Sequence, residues 1–391
     1  MSTYSEIQQK ILNLKPDFIT ETVSLNNSFN RILQQDILAD MDMPPYDKSS
    51  MDGYACRLQD IENELEMLEI IQAGKLSTYK IGKNQCSKIM TGAAVPENAD
   101  CVFKIEESTT LSSGKIRCLN LNTKKNICYK AEDYALNQIL IKKGSIIQSP
   151  QIAVLAGAGY SNVEVSLPPK IALISTGSEL VEPHIKPPKG MIRNSNSSQI
   201  NSQLQRMNLS AKYVGLFGDD FNKLSSIFQQ VSENYDYIIF TGGASNGDFD
   251  FIPKILESHD FEIFWQTTGI KPGNPMTFAK KGNKYCFGLS GNPVSSMVQF
   301  EFLVKPIIYK LLGASYNAFR VKATLEPHYK RSINGRFGVE PVIINSKGLV
   351  EIIPFHGSAN INALIYANAF MEVPEDISEF KNGDQVYVRP I

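Results

Sequence analysis

The stretch that most restricts what this chain can fold into is Asp236–Phe251, where four consecutive apolar residues, Tyr237-Ile238-Ile239-Phe240, stop abruptly at Thr241-Gly242-Gly243. A continuous apolar run of strand length suits a parallel strand covered by helices on both faces. The carboxyl end of such a strand is where open α/β sheets gather their ligands, and paired glycines there let backbone N–H groups approach an anion closely. Ser245, Asp248 and Asp250 follow within a few residues. Two carboxylates beside a turn suited to phosphate would repel it unless a hard cation lay between, which points to Mg²⁺ bridging an anionic substrate. Taken alone, the stretch serves equally well as a plain β-to-α turn with a helix-capping Asp.

Its surroundings favour the first of these. From the boundary at Pro168-Pro169 the chain alternates strand and helix signals. Ile171–Ile174 leads into Ser175-Thr176-Gly177-Ser178-Glu179-Leu180, and Val214–Phe217 leads into Gly218-Asp219-Asp220. Tyr237–Phe240 is then the third β-to-α unit of a doubly wound α/β domain whose strand ends share one cleft. Asp219 and Asp250 are the metal candidates, and Asp248 is the cap of the following helix. Gly291-Asn292-Pro293 reads as a helix start with Asn292 as N-cap and free N–H groups directed at the preceding turn, a second anion site. That helix should reach about Leu312 with a kink at Pro306.

Before this domain, helices are expected at residues 4–14 and around Leu25–Leu33. A proline-rich loop, Met43 to Ala55, exposes Asp52, and short strands follow up to about residue 140, with Thr91 and the Glu132-Asp133 pair in their loops. Ser149-Pro150 starts another helix, finishing at Gly157-Ala158-Gly159. After residue 316 the pattern returns to short alternating strands, a small β domain with Ser358 in one loop. The expected division is 1–168, with an inserted β part at about 45–140, then 169–315 and 316–391.

Composition narrows the function classes. A formal net charge of −1 and a pI near 6.5 leave no overall basic field for nucleic acid or an anionic membrane, so any anion is bound locally. Six cysteines without a Cys-x-x-Cys pair and four histidines without ligand spacing argue against a zinc ribbon, a disulfide framework or a histidine-based metal centre. No apolar signal core or membrane-length apolar run is present, and a cytoplasmic location is expected.

Five separated segments, read together and in order, resemble the MoeA family of molybdopterin molybdenumtransferases: Pro44–Ala55, Ile89–Pro96, Ser175–Leu180, Thr241–Asp250 and Gly288–Ser295. The resemblance spans essentially the whole chain. It implies a helical N-terminal part with an inserted β part, a molybdopterin-binding α/β domain and a C-terminal β-barrel. It also implies a homodimer in which the N-terminal region of one subunit completes the site of the other. The implied reaction inserts molybdate into adenylylated molybdopterin with Mg²⁺, releasing AMP and forming molybdenum cofactor. Carried over by motif, the functional positions are Asp52, Thr91, Asp133, Glu179, Asp219, Asp250, Lys271 and Ser358. Asp219 and Asp250 would hold the metal, with Asp52 entering from the partner to complete the cation site or to position molybdate. Thr176, Gly177, Thr241, Gly242, Gly243, Ser245, Gly291, Asn292, Pro293 and Ser358 would bind the molybdopterin, with Thr241 to Gly243 and the Gly291-Asn292 helix start as donors to its phosphate and Lys271 supplying positive charge.

The chain departs from the family at Gln266-Thr267 and Asn274, where lysine is usual, at Ala131 in place of glycine, and at Ser290 in place of proline. Two missing positive charges should weaken anion binding more than metal binding. A catalytically weakened molybdopterin-binding or scaffold protein of the same fold is therefore the alternative. The related molybdopterin adenylyltransferase is disfavoured by residues 1–168.

Overall fold

A computed structural model describes residues 2–243, 251–331 and 335–391. The chain forms two compact units, Gln35–Lys143 with Ser149–Asn162, and Met1–Gln34 with Gly144–Gln148 and Val163–Ile391.

The smaller unit is built on a four-stranded sheet of β1 (Gly53–Cys56), β2 (Glu66–Ile71), β3 (Gln85–Ile89) and β4 (Cys101–Lys104), in the order β2-β3-β1-β4. Cys56 stands opposite Cys86 on one side and Cys101 on the other. With Tyr54, Phe103 and Cys118 these thiols form one core, and Ala55, Ile89 and Val102 form the core on the opposite face. All six cysteines are free, and only Cys128 is incompletely buried. They act as small hydrophobes. The helix Ser149–Gly157 also belongs to this unit.

The larger unit contains the doubly wound sheet. Its strands are β5 (Ile171–Thr176), β6 (Ala211–Phe217), β7 (Tyr237–Thr241), β8 (Glu262–Thr267), β9 (Pro275–Lys281) and β10 (Lys284–Leu289), in the order β6-β5-β7-β10-β9-β8. The first four in that order run parallel, and β9 and β8 add an antiparallel edge. Tyr237, Ile238, Ile239 and Phe240 are each at most 2% exposed because β7 lies between β5 and β10 with apolar layers on both faces. Burial of side chains this large contributes about 1.5–3 kcal/mol each. One face packs against α1 (Tyr4–Leu12), α2 (Asn196–Gln205) and the long helix before the barrel. The other packs against α3 (Phe221–Asn234) and α4 (Ile252–Ser258) through Leu224, Phe228, Ile252 and Ile255.

The long helix is α5 (Pro293–Gln299), a π-helical turn at Phe300–Val304, and α6 (Lys305–Leu311). The interruption falls just before Pro306, whose ring nitrogen has no proton for the helical ladder. The Lys305 N–H reaches back to the Phe300 carbonyl instead.

The C-terminal part is a closed five-strand barrel of β11 (Val321–Leu325), β12 (Phe337–Ile344), β13 (Leu349–Ile352), β14 (Ala369–Val373) and β15 (Gln385–Pro390). Ring closure comes from β12 pairing with both β13 and β14. Its core is led by Val, with Ala, Leu, Met and Tyr completing it.

The helix expected around Leu25–Leu33 is not formed. Only a 3₁₀ turn, Leu25–Asn27, is present. Asn30 takes a left-handed φ of 59°, and the N–H groups of Asn30 and Leu33 bond to the carbonyls of Ile147 and Ser145. Pairing with a distant segment overrides the helical spacing. The α2 helix ends at Gln205, before Met207. Phe251 occupies the N-cap position of α4, and Asp248, expected as that cap, lies outside the described residues.

Candidate active site

The carboxyl ends of β5, β7 and β10 meet in a cavity of about 940 Å³ in the larger unit. Their approach dictates the glycines. A Cβ on Gly242 would lie 2.2 Å from the Thr176 carbonyl oxygen, and its φ is +92°, so both closeness and conformation exclude a side chain. Gly177, at φ +146°, yields its space to the Glu179 carboxylate, which would stand 2.8 Å from an added Cβ. The paired glycines thus serve packing as well as any phosphate.

Each wall is held by a buried side chain. Asn196 donates to the Gly291 carbonyl at 2.9 Å. Asn194 donates to the Ser175 hydroxyl and the Tyr213 hydroxyl, both at 3.0 Å. Gln299, wholly buried, donates to the carbonyls of Gly273 at 3.0 Å and Pro275 at 2.6 Å and accepts the Ser290 N–H at 2.8 Å. One amide thereby ties the turn after β10 to the loop after β8.

Asp219 and Ser178 exchange hydrogen bonds. The Ser178 N–H donates to Asp219 Oδ2, and the Asp219 N–H donates to Ser178 Oγ, both at 3.0 Å. Among the described residues Asp219 Oδ1 takes no hydrogen bond, and Glu179 lines the same cavity, so two carboxylates face it. Two carboxylates plus substrate phosphates and water are the usual ligand set of Mg²⁺. No group of three acidic, His or Cys residues spaced to hold a metal ion occurs among the described residues. Among the described residues the buried Thr176 Oγ1 has no hydrogen-bond partner, an unmet polar group of the kind a ligand satisfies.

Every predicted cleft position among the described residues lines this cavity: Thr176, Gly177, Glu179, Asp219, Thr241 to Gly243, Lys271, Gly291 to Pro293 and Ser358. Ser245 and Asp250 lie outside the described residues. Asp52, Thr91 and Asp133 belong to the smaller unit. There Asp52 Oδ1 accepts the Thr91 N–H at 2.7 Å and its hydroxyl at 2.8 Å. These bonds, the backbone one foremost, hold the exposed Asp52 carboxyl below the ordinary carboxylate range. Asp133 is exposed in a turn, its N–H bonded to the Met43 carbonyl at 3.0 Å.

Two expectations need correction. The start of α5 is not wholly free, because the Val294 N–H donates to the Ser358 carbonyl at 3.0 Å and the barrel loop caps the helix. Asn274 is more than a lost charge: its Oδ1 accepts the Gly269 N–H at 3.0 Å, fixing the loop that carries Lys271. Gln266 and Thr267 lie in β8, away from the cavity lining.

Sequence reasoning missed Arg193, Arg336, Glu340 and Phe355, all of which line the cavity. Arg336 and Glu340 arrive through Ile270-Lys271 pairing in parallel with Phe337-Gly338 at the start of β12. Burial raises the Glu340 carboxyl above its ordinary range, opposed by the Tyr329 hydroxyl, which donates at 2.8 Å, and by the charges of Lys271 and Arg331.

A doubly wound domain whose strand-end cleft is walled by a closed barrel defines a multidomain α/β protein with a polar small-molecule site. The chain matches the MoeA N-terminal region (domain I and II) over residues 2–159, a probable molybdopterin-binding domain over 172–310 and the MoeA C-terminal region (domain IV) over 331–391. It is 34% identical over 393 residues to the molybdopterin molybdenumtransferase of Staphylococcus aureus strain N315, covering 97% of this chain and 93% of that one. It is also 34% identical to that of Staphylococcus epidermidis strain ATCC 12228, covering 94% and 90%. The crystal structure of the molybdopterin biosynthesis moeA protein from Pyrococcus horikoshii OT3 superposes with a TM-score of 0.79 at 27% identity over the full length of both chains. The chain belongs to the MoeA family.

Proposed function

We propose that this chain is a molybdopterin molybdenumtransferase that inserts molybdate into adenylylated molybdopterin, releasing AMP and forming molybdenum cofactor. The observation that carries this reading is the convergence of the motif residues of three strand ends and the barrel loop on one cavity. The strand-end turns and the Thr176 hydroxyl, unpartnered among the described residues, offer neutral donors to the pterin phosphate, and Lys271 and Arg336 offer positive charge. Asp219 and Glu179 would hold Mg²⁺, with Asp250 as the further ligand proposed from sequence. The bound ion supplies neutralisation of charge developing on the cleaved phosphoanhydride. The buried amides of Gln299 and Asn196 keep the two anion-facing loops in register, so the substrate meets a preorganised site.

The same reading places the reaction in the cytoplasm and in a homodimer, with Asp52 and Thr91 of each subunit serving the partner's cleft. Sedimentation equilibrium should give twice the 43.5 kDa chain mass, and a monomer would overturn the shared site. Product formation tests the reaction itself. Incubation with adenylylated molybdopterin, molybdate and Mg²⁺ should yield material that reactivates a cofactor-free molybdoenzyme, and no reactivation would contradict it. The second reading, a pterin-binding protein with weakened catalysis, is favoured by Asn274, whose side chain is committed to the Gly269 N–H and carries no charge.

A further inference from the structure

We propose that Glu340 sets the oxyanion affinity of the cleft by opposing the charge of Lys271, an inference that rests on the anion-binding reading of this cavity.

The register brings the two together. Lys271 stands opposite Gly338 in a parallel pairing, and Glu340 lies two residues further along β12 on the same face. Diagonal cross-strand neighbours in antiparallel pairs stand about 7–8 Å apart, and a similar span in this parallel pairing is within reach of long side chains. Gly338 places no side chain between them. The space its Cβ would fill holds a guanidinium nitrogen of Arg331, 2.6 Å from that position. Both Lys271 and Glu340 line the cavity, and the Lys271 charge acts on the Glu340 carboxyl.

The other groups around Glu340 are accounted for. The Tyr329 hydroxyl donates to its Oε1 at 2.8 Å. Arg331 keeps its charge near Glu340 but donates its N–H groups to the carbonyls of Ile377, Arg336 and Pro374, and it is not among the cavity-lining residues. From β14 the residue opposite Glu340 is the uncharged Met371. The cavity lining as described carries Arg193, Lys271 and Arg336 against Glu179, Asp219 and Glu340, three charges of each sign. With Asp219 and Glu179 assigned to a cation, Glu340 is the acid left to offset the cations that would hold an oxyanion. Burial favours its neutral form, so protonation, shifted above the ordinary carboxylate range, removes that opposition. A bound anion favours the protonated acid further, so binding takes up a proton and affinity falls as pH rises through the folded-state value.

Calorimetric titration of molybdate, with inorganic sulfate as a second tetrahedral dianion, tests this in the full-length protein. Glu340→Gln keeps the shape and the acceptor for Tyr329. It should bind both ions at least about tenfold more tightly at pH 8, the lower bound that Coulomb's law gives for a unit charge at about 7 Å and an effective dielectric of about 40, with a dianion gaining more. Its affinity should vary with pH less than that of the unsubstituted protein. Tyr329→Phe keeps the charge, and its affinity should stay within about twofold of the unsubstituted protein. Oxyanion affinity in Glu340→Gln equal to or below that of the unsubstituted protein overturns the proposal, as does an equal gain in Tyr329→Phe, which would show loosening of the wall. AMP release from adenylylated molybdopterin in the same samples separates the two readings. Intact release with no gain in Glu340→Gln removes the Glu340 proposal alone. A gain in affinity without any AMP release removes the transferase reading and leaves Glu340 as an oxyanion determinant.

Discussion

An Asp219→Ala variant should lose about 10²–10³-fold in turnover, the size expected when one preorganised electrostatic contact to developing charge is removed. The reason lies in how Asp219 is held. One carboxylate oxygen is fixed by the Ser178 N–H at 3.0 Å, and the residue's own N–H is fixed by the Ser178 hydroxyl, so the other oxygen is presented to the cleft in one orientation. Asp220, not Asp219, caps the helix that follows, accepting the Lys223 N–H at 3.0 Å. Stability should therefore change little, within about 0.5 kcal/mol in urea unfolding, as for a surface substitution away from caps and core. A variant with Mg²⁺-dependent turnover close to that of the unsubstituted protein would sink the assignment of Asp219 to the cation. Large destabilisation would show instead that its role is structural.

Gly242→Ala should be the most damaging small substitution in the cleft, costing about 3–5 kcal/mol. The added methyl would meet the Thr176 carbonyl at 2.2 Å and the Thr176 hydroxyl at 2.9 Å, in a backbone conformation with φ +92°. Neither side can give way. Thr176 ends the fully buried strand β5, and the Gly242 N–H is bonded at 3.0 Å to the carbonyl of Leu289, the last residue of β10. Gly348→Ala supplies the control, because Gly348 has φ +77° and nothing within 4 Å of its missing Cβ. It should show the conformational cost alone, about 1–2 kcal/mol. Equal losses in the two variants, measured by chemical unfolding, would mean that strand approach at Gly242 contributes nothing.

The sheet was legible in the sequence because its central strands are uninterrupted apolar runs, a pattern that only two-sided burial maintains. Much of the cleft was legible for a related reason: its members follow their strands directly, so finding Tyr237–Phe240 also located Thr241 to Gly243. Arg336 and Glu340 escaped because nothing local marks them. They reach the cleft through a two-residue pairing between Ile270-Lys271 and a strand more than sixty positions later in the chain. The segment from Leu25 to Leu33 misled because its apolar spacing is helical, while its backbone donors are claimed by residues 145–147. Asn274 misled in the opposite direction. Counted as an absent charge, it is a buried amide whose acceptor holds the loop bearing Lys271.

The most direct test of the central claim is AMP release from adenylylated molybdopterin under single-turnover conditions, with Mg²⁺ and molybdate each supplied or withheld. The cleft described here predicts AMP release that requires both ions and accompanies loss of the adenylylated substrate. AMP release independent of molybdate, or none with both ions present, would contradict a molybdenumtransferase.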